Sequence, residues 1–417
     1  MDNINNNKQL RIYDDNGKFI RVSVDEAIAN RYNYWQNWKC SAGVQNLYID
    51  FDGNIWVCNT ASSFIDRFNH DNWKELLFSK IDKFGKNIPS EWWHTGEEFL
   101  KLESDFKKNG KAYKKIIPVT EENKNNIPGF LGNINESFSL AKEWFVCPWN
   151  SCSCGADVVL SKVKTKMHRT TLAVNNEGWH GRDRTENDYV DNITDPVAVE
   201  LNYSMPYQIL WDLSRKCNYD CSYCWPGVHN KTDTHKDYDL LIRTADKIIE
   251  DWAHNKTIRW NFGGGEPTLH PNFLDFAKYL KGKNQWTMVT SNGTRDHKYW
   301  GELAKYMNSI LLSAHFDGLT EYNDEDRFVK NIKVICEHFD EHDDDHWLEV
   351  KLMAPPKYID RALKLKEKIL NLDLLNRSGA NGRIKGVVSL VPIRGMQNPG
   401  EVVRYTEQQL ELFKNQT

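Results

Sequence analysis

The sequence has little that favours a membrane-spanning or secreted chain. No apolar run approaches the ~18 residues of a membrane-spanning helix. The first residues, MDNINNNKQL, lack the apolar core of a signal peptide. From these absences we predict a cytoplasmic protein with no membrane partner.

A charge excess of one sign, internal repeats and long low-complexity segments are also missing. The chain has 54 basic and 58 acidic residues and a net charge of −4. This balance argues against a strong positive electrostatic field that would attract polyanions. Hydrophobic residues make up 40% of the 417 positions, with 16 Trp, so we predict a folded chain of two or three domains.

Cysteines are the most informative residues that the sequence does contain. Disulfides are rare in a reducing compartment, so metal binding is the favoured use of so many thiols. Cys336, which stands alone, is predicted to pack on a buried helix face. The other eight fall into two groups: Cys40, Cys58, Cys147, Cys152 and Cys154, then Cys217, Cys221 and Cys224.

From about Pro206 the sequence alternates short apolar segments with amphipathic ones. This rhythm favours parallel strands joined by right-handed helical crossovers. The roughly 190 residues involved suit six units better than a full eightfold barrel of ~250. The predicted strands are 207–213, 257–262, 286–291, 309–315, 347–353 and 384–391, and the predicted helices are 238–254, 272–282, 296–307, 321–339 and 358–371.

The predicted fold class is therefore α/β, a partial (βα)6 TIM-like barrel with a smaller N-terminal α+β domain. The barrel and a C-terminal tail take residues 206–417, the small domain takes 1–175, and a polar, turn-rich linker takes 176–205. In the small domain, LYIDFDGNIWVC (47–58) predicts a hairpin around an Asp52-Gly53 turn. Helices are predicted near 66–84 and 97–110.

The cysteines of RKCNYDCSYCWPGVH (215–229) allow two interpretations. One is a structural zinc site of three thiolates with His229 or His235 as the fourth ligand. The other is a 4Fe–4S cluster held by three thiolates, with one iron left open for a substrate or cofactor. The position of the loop at the start of a βα-barrel, rather than in a small finger, favours the second.

CNYDCSYC, with Tyr223 before its last cysteine, resembles the cluster-binding loop of the radical S-adenosylmethionine (radical SAM) superfamily. One strand later, NFGGGEPTLHP (261–271) is similar to the GGEP segment of that family. The resemblance covers about residues 206–395. It implies that the open iron takes the amino and carboxylate groups of S-adenosylmethionine (SAM). The site residues it implies are Cys217, Cys221 and Cys224 for the cluster, and Tyr223, Gly264, Gly265, Glu266, Ser291, Asn292 and Ser313 for SAM.

The first cysteine group resembles the SPASM and twitch modules, which hold auxiliary clusters in many radical SAM enzymes. Cys40, Gly53 and Cys58 fit the C-x(9–15)-G-x4-C element, and GFLGNINESF (129–138) is similar to the GNI segment. The resemblance implies an auxiliary 4Fe–4S cluster, with Cys147, Cys152 and Cys154 giving five candidates for four places. The module departs from the family in preceding the barrel and in its C-x4-C-x-C spacing. A structural zinc site is the alternative.

The resemblance implies an enzyme that takes an electron from a reductant such as a flavodoxin or ferredoxin and cleaves SAM reductively. The resulting 5′-deoxyadenosyl radical abstracts a hydrogen atom from the substrate. Because SPASM-bearing relatives often modify peptides, a peptide or protein side chain is the first substrate hypothesis. A nucleotide or nucleobase is the alternative within the same chemistry. A zinc-stabilised binding module without catalysis is the alternative of another class.

Overall fold

The computed structural model describes the following residues: 9–13, 18–23, 38–59, 61–62, 121–122, 124, 127, 129–135, 138, 140–141, 143–147, 162–163, 198–201, 207–221, 224, 231–316, 324–341, 346–372, 374–375, 386–392 and 405–414. These residues divide into two compact units. Asp50–Gly53 and the residues from Leu210 onward belong to the second unit, and the others to the first. The helices predicted near 66–84 and 97–110 lie outside the described residues.

The first unit contains a sheet of six short strands in the order β2-β1-β9-β8-β3-β7. The described neighbours in this sheet pair antiparallel. The strands are β1 (Gln9–Tyr13), β2 (Phe19–Ser23), β3 (Lys39–Cys40), β7 (Phe145–Val146), β8 (Lys162–Val163) and β9 (Ala198–Leu201). Strand β9 falls within the predicted linker 176–205. Its apolar run AVEL pairs with β1 and β8, so that range is not a linker throughout.

A second antiparallel run contains the strands of the predicted hairpin, which belong to the first unit. Strands β4 (Asn46–Ile49) and β5 (Asn54–Trp56) pair Tyr48 with Trp56, and β5 pairs with β6 (Phe130–Asn133). The turn residue Gly53 has a φ of 85°, in the region that glycine adopts at little cost. The predicted hairpin is confirmed.

The predicted barrel strands lie in sequence order in one sheet, from β10 to β15. Residues from Leu210 onward belong to the second unit, so β10 begins in the first unit and ends in the second. The pairs from β11 to β15 are parallel, as right-handed βα crossovers require. The strands are β10 (Tyr207–Asp212), β11 (Ile258–Gly263), β12 (Trp286–Ser291), β13 (Ser309–His315), β14 (Trp347–Met353) and β15 (Gly386–Val391). The predicted partial α/β barrel is confirmed.

Helices follow the strands as the amphipathic pattern predicted. The first continues into a π-helical turn, Ile248–Trp252, and carries its apolar face on Leu241, Ala245 and Ile248, all fully buried. The helices are α1 (Tyr238–Lys247), α2 (Phe273–Gly282), α3 (His297–Leu303), α4 (Glu325–Glu341), α5 (Ile359–Leu370) and α6 (Glu407–Lys414). Among the described residues, no helix is both long and apolar enough to cross a bilayer.

Aromatic side chains fill the space between the first barrel strands and α2. Trp211 packs edge-on against Phe276 at 5.7 Å between ring centroids, and Phe262 packs edge-on against Phe273 at 5.5 Å. These side chains are all but fully buried. Because such rings bury large areas in defined geometry, they fix the ends of β10 and β11, from which the candidate site is built.

Candidate cluster-binding site

The cysteine loop follows β10. Its first residues form backbone hydrogen bonds with the segment that follows β11. The backbone N–H of Gly265 donates to the carbonyl oxygen of Ser214, and that of Glu266 to the carbonyl oxygen of Lys216, both at 2.8 Å. Cys217 comes directly after this pairing and is buried. The carboxyl ends of two neighbouring strands therefore bring the cysteines and the glycine-rich segment together, as the sequence predicted.

This close approach explains the two glycines before Glu266. A Cβ atom on Gly264, whose φ is +114°, would lie 2.6 Å from the Ser214 carbonyl oxygen. A Cβ atom on Gly265 would lie 2.4 Å from the Lys216 carbonyl oxygen. Both neighbours are backbone atoms, which cannot rotate out of the way. Only glycine fits at these positions without displacing the cysteine loop.

We expect Gly265→Ala to lower the free energy of unfolding by about 1–3 kcal/mol, the usual cost of forcing an atom into a packed site. Gly301→Ala is the matched control, because Gly301 lies inside α3 and an added Cβ there meets no atom within 4 Å. The control should gain about 0.5–1 kcal/mol from its better helix propensity. Urea unfolding followed by tryptophan fluorescence measures both, and equal effects would contradict this account of the glycine segment.

The Glu266 carboxylate ties the ends of β11 and β12 together from inside the protein. One oxygen, Oε1, accepts hydrogen bonds from the Thr268 backbone N–H (3.0 Å), the Thr268 hydroxyl (2.5 Å) and the Ser291 hydroxyl (2.8 Å). The other, Oε2, accepts from the Asn292 backbone N–H at 2.7 Å. Burial raises the pKa of this carboxyl, and the four hydrogen bonds act in the opposite direction.

Three of these four bonds reach Oε1 and one reaches Oε2. The Glu266 side chain is 1% exposed, so it is built into the interior as an anchor for the loop that carries Asn292. An additional bond to an ammonium group of SAM, which the resemblance implies, stays a prediction.

Asn292 directs its side-chain amide at the first cysteine. Its Oδ1 accepts from the Thr294 backbone N–H (3.2 Å) and the Thr294 hydroxyl (2.8 Å). Because a backbone N–H only donates, this contact fixes which way the amide points. The Nδ2 group then donates to Asn218 Oδ1 at 2.9 Å and faces Cys217 Sγ at 3.9 Å. The Asn218 amide in turn donates to the Thr294 hydroxyl at 2.8 Å, which closes the network.

The Cys217 sulfur therefore has two N–H groups directed at it, from Asn292 and from the Tyr219 backbone at 3.4 Å. Burial raises the pKa of the Cys217 thiol to about 11, and these N–H contacts lower it. Hydrogen bonds to sulfur stabilise thiolate ligands and tune the potential of iron–sulfur clusters. The surroundings of Cys217 thus fit a thiolate ligand of a cluster.

The structure describes one of the two histidines of the zinc alternative, His235. Thiolates of a zinc site all lie about 2.3 Å from one ion, whereas each cysteine of a cluster binds its own iron. His235 Nδ1 lies 3.3 Å from the Ser214 hydroxyl, and burial lowers the pKa of its imidazole to about 4. His229, the other zinc candidate, lies outside the described residues.

Comparison with known proteins identifies the family of this site. Residues 211–349, which include the cysteine loop, Glu266 and Asn292, match the model of the Radical SAM superfamily. This region is a radical SAM domain. The family implies a 4Fe–4S cluster and SAM. Cys217, Cys221 and Cys224 stay the residues predicted to hold the cluster.

Three curated relatives each match about a third of this chain. Fe-coproporphyrin III synthase of Methanosarcina barkeri is 28% identical over 29% of this chain and 30% of its own. Mycofactocin maturase MftC of Mycobacterium ulcerans is 26% identical over 30% and 33%. The subtilosin biosynthesis protein AlbA of Bacillus subtilis is 25% identical over 33% and 32%. The chain thus spans about a third of the length of each.

Most of the residues predicted to contact SAM lie close together in the radical SAM domain. The contacts that the structure shows for them are with other protein groups. Ser291 is buried at the end of β12 and donates to Glu266, while Ser313 is buried near the end of β13. Tyr223 lies outside the described residues. The resemblance proposed Asn292 as a SAM contact, and the structure adds its contact with Cys217.

Sequence reasoning missed several residues around the radical SAM loop. The ring of Tyr219 packs edge-on against His315 at 5.9 Å, beside a small cleft that Asn292 and Arg327 also line. Burial lowers the pKa of His315 to about 4, so its imidazole is neutral at pH 7. The sequence could have pointed to His315 through its position at the carboxyl end of β13, because functional groups of βα-barrels concentrate at that end.

Arg215 anchors the outer side of the same loop. Its two terminal nitrogens donate to the two carboxylate oxygens of Asp52, each at 2.8 Å, and its guanidinium lies 4.8 Å from the centre of the Phe51 ring. The Arg215 hydrogen bond lowers the pKa of Asp52. Lys236 donates to the Asp52 carbonyl oxygen at 3.2 Å. The sequence predicted Asp52 as a turn residue. The structure shows that it also binds Arg215 and Lys236.

Three of the five N-terminal cysteine candidates are described, and all three are buried: Cys40, Cys58 and Cys147. The Cys147 N–H donates to the Trp38 carbonyl oxygen at 2.8 Å, in register with the pairing of β3 and β7. Cys40 and Cys147 therefore lie on the same face of adjacent strands. The Ala61 N–H faces Cys58 Sγ at 3.4 Å. A buried thiol with an N–H at its sulfur, as at Cys58, suits thiolate ligation. Cys152 and Cys154 lie outside the described residues.

Proposed function

We propose that this protein is a radical SAM enzyme that modifies a peptide or protein side chain. The observation that carries the proposal is the Cys217 loop. A buried cysteine with two N–H groups at its sulfur is held against the glycine segment by backbone hydrogen bonds, within a radical SAM domain. When bound, the cluster supplies the electron that cleaves SAM and yields the 5′-deoxyadenosyl radical.

The chain's own residues position and shield this chemistry. Glu266 fixes the loop that carries Ser291 and Asn292, and the aromatic core fixes the strands from which the loops emerge. Cys217, Tyr219 and Cys221 are buried, and this burial would keep water away from a cluster bound there. A maturase and a bacteriocin biosynthesis protein among the curated relatives support a peptide substrate.

We further propose that Cys40, Cys58, Cys147 and one of Cys152 and Cys154 hold an auxiliary 4Fe–4S cluster. The burial of the three described cysteines and the shared face of Cys40 and Cys147 support it. The proposed role is electron transfer to or from the substrate radical. Finding zinc with these cysteines would replace that role with a structural one.

The experiment is an anaerobic assay of the chain reconstituted with iron and sulfide. We expect a brown protein with about eight irons per chain, two clusters of four, that forms 5′-deoxyadenosine from SAM after reduction by dithionite. A deuterated candidate peptide should transfer deuterium into the 5′-deoxyadenosine, and mass spectrometry measures both. If the iron-loaded protein formed no 5′-deoxyadenosine, the proposed radical SAM activity would be refuted. Transfer from a deuterated nucleotide, and from no peptide, would refute the peptide substrate.

A further inference from the structure

Strand β14 carries an ion pair on the face that lines the barrel interior. Leu348, Val350 and Leu352 are fully buried. Helices cover the outer face of a βα-barrel, so these three side chains face the helices and the alternate residues of β14 face the interior. Among the alternate residues, Lys351 Nζ lies 3.3 Å from Glu349 Oε1. Because Val, Ile and Leu dominate a packed barrel interior, a charged pair at this place needs an explanation.

The barrel interior is open to water at the level of this pair. The side chains of Lys351 and Glu349 are 33% and 26% exposed. Thr290, on β12, is exposed although the residues on both sides of it are buried. The register places Thr290 beside Leu311, and Leu311 beside Glu349, so Thr290 and Glu349 share one level of the interior. The pair therefore lines an open space rather than a packed core.

Hydroxyl groups flank Lys351 on both neighbouring strands. The register places Ser313 of β13 on one side and Ser389 of β15 on the other. Residues in register on neighbouring parallel strands point to the same face, about 4.8 Å apart. One ammonium and two hydroxyl groups, all hydrogen-bond donors, thus form a row across three strands. Glu349 lies one layer further from the carboxyl ends of the strands, where both of its strand neighbours are apolar.

We infer that Lys351 and Ser389 bind a carboxylate of the substrate, which is either an acidic side chain of the peptide or its free C terminus. The inference rests on the peptide substrate proposed above and deepens it. An ionised carboxylate accepts about four hydrogen bonds, and bonds from an ammonium group are stronger than neutral ones. Glu349, which contacts Lys351 from the deeper layer, is a positioning residue.

The carboxylate of SAM is predicted to lie elsewhere. The resemblance places it on the open iron of the cluster, at the loop that follows β10, the first barrel strand. Lys351 is on β14, and three strands lie between β10 and β14 in the sheet. Ser313, a predicted SAM contact, is on β13, next to Lys351. A carboxylate held by Lys351 and Ser389 would therefore place the substrate beside SAM.

The test uses the full chain, reconstituted with iron and sulfide and saturated with SAM, and three libraries of synthetic decapeptides. The libraries are random but contain no Asp or Glu, apart from one fixed central residue. That residue is Glu with an amidated C terminus in the first library, Gln with an amidated C terminus in the second, and Gln with a free C terminus in the third. Mass spectrometry measures the bound peptides.

The parent should bind either the first or the third library about tenfold better than the second, the effect of one charge-assisted hydrogen bond. A preference for the first library assigns the carboxylate to a side chain, and a preference for the third assigns it to the C terminus. Lys351→Met should lose the preference and Lys351→Arg should keep it. Lys364→Met is the matched control, because Lys364 is exposed on α5 of the same unit, and it should keep the preference.

The outcomes separate this inference from the proposal on which it depends. A parent protein that binds none of the libraries would refute the peptide substrate itself. Equal binding of all three would overturn the carboxylate site and leave a peptide substrate standing. The site would also be wrong if Lys351→Met kept the preference or if Lys364→Met lost it. If circular dichroism shows that Lys351→Met does not fold, Lys351→Gln replaces it, and a preference kept by that variant again overturns the inference.

Discussion

Replacing Cys217, Cys221 and Cys224 together by Ala should remove about four irons per chain and abolish reductive cleavage of SAM, because three thiolates hold the cluster of this family. Cys217 and Cys221 are buried, and the loop is already bonded through its backbone to the glycine segment. The change should therefore remove the cluster without unfolding the barrel. Iron analysis and 5′-deoxyadenosine measured by mass spectrometry give the two results.

Cys336→Ala is the matched control for this variant. Cys336 is a buried cysteine of the same domain, on α4. Its loss should cost some stability through the small cavity it leaves, while iron content and SAM cleavage remain at the parent level. The triple variant should also keep the auxiliary iron, about four per chain. Formation of 5′-deoxyadenosine by the triple variant would refute the assignment of the cluster to these cysteines.

Glu266→Gln should destabilise the radical SAM domain by about 1–3 kcal/mol, the cost of an unsatisfied buried polar group. The glutamine oxygen can replace Oε1, which accepts three hydrogen bonds. Its NH2 group would then face the Asn292 N–H, where Oε2 now accepts, so two donors would meet. The loop that carries Asn292 should shift away from Cys217. Urea unfolding measures the stability, and the rate of 5′-deoxyadenosine formation should fall with the loop displaced.

Glu302→Gln is the same substitution on the surface of α3. Glu302 pairs with Lys305 one turn later, and both side chains are more than a third exposed. Such pairs contribute little in water, so this variant should stay within about 0.5 kcal/mol of the parent. If Glu266→Gln matched this control in both stability and rate, the anchoring role of Glu266 would be wrong.

The barrel could be predicted from the sequence because its signals are local. Parallel strands buried between helices read as short apolar runs, such as SILLSAH for β13, and the helices between them show one apolar face. The glycines before Glu266 and the cysteine spacing are also local signals, so the sequence placed both segments after the strands that they follow in the structure, β10 and β11. The sheet that contains β1, β2 and β9 was not predicted. Strand β9 pairs with β1, which lies near the opposite end of the same unit in the sequence.

Contacts between distant segments could not be predicted. Asp52 and Arg215 are 163 residues apart, and Asn292 and Asn218 are 74 apart. No periodicity relates such pairs, since only the folded arrangement brings them together. The burial of Lys162 is a similar case, because a lysine at the end of a strand is expected at the surface.

The two sides of the cysteine loop differ in how they should respond to ionic strength. On the inner side, Gly265 and Glu266 hold Ser214 and Lys216 through backbone hydrogen bonds, which salt hardly affects. On the outer side, Arg215 depends on the carboxylate of Asp52, whose side chain is 53% exposed. The screening length falls from about 8 Å at physiological salt to about 3 Å at 1 M. We therefore expect concentrated salt to loosen only the outer edge of the loop, so iron loading in dilute buffer should give more uniform preparations.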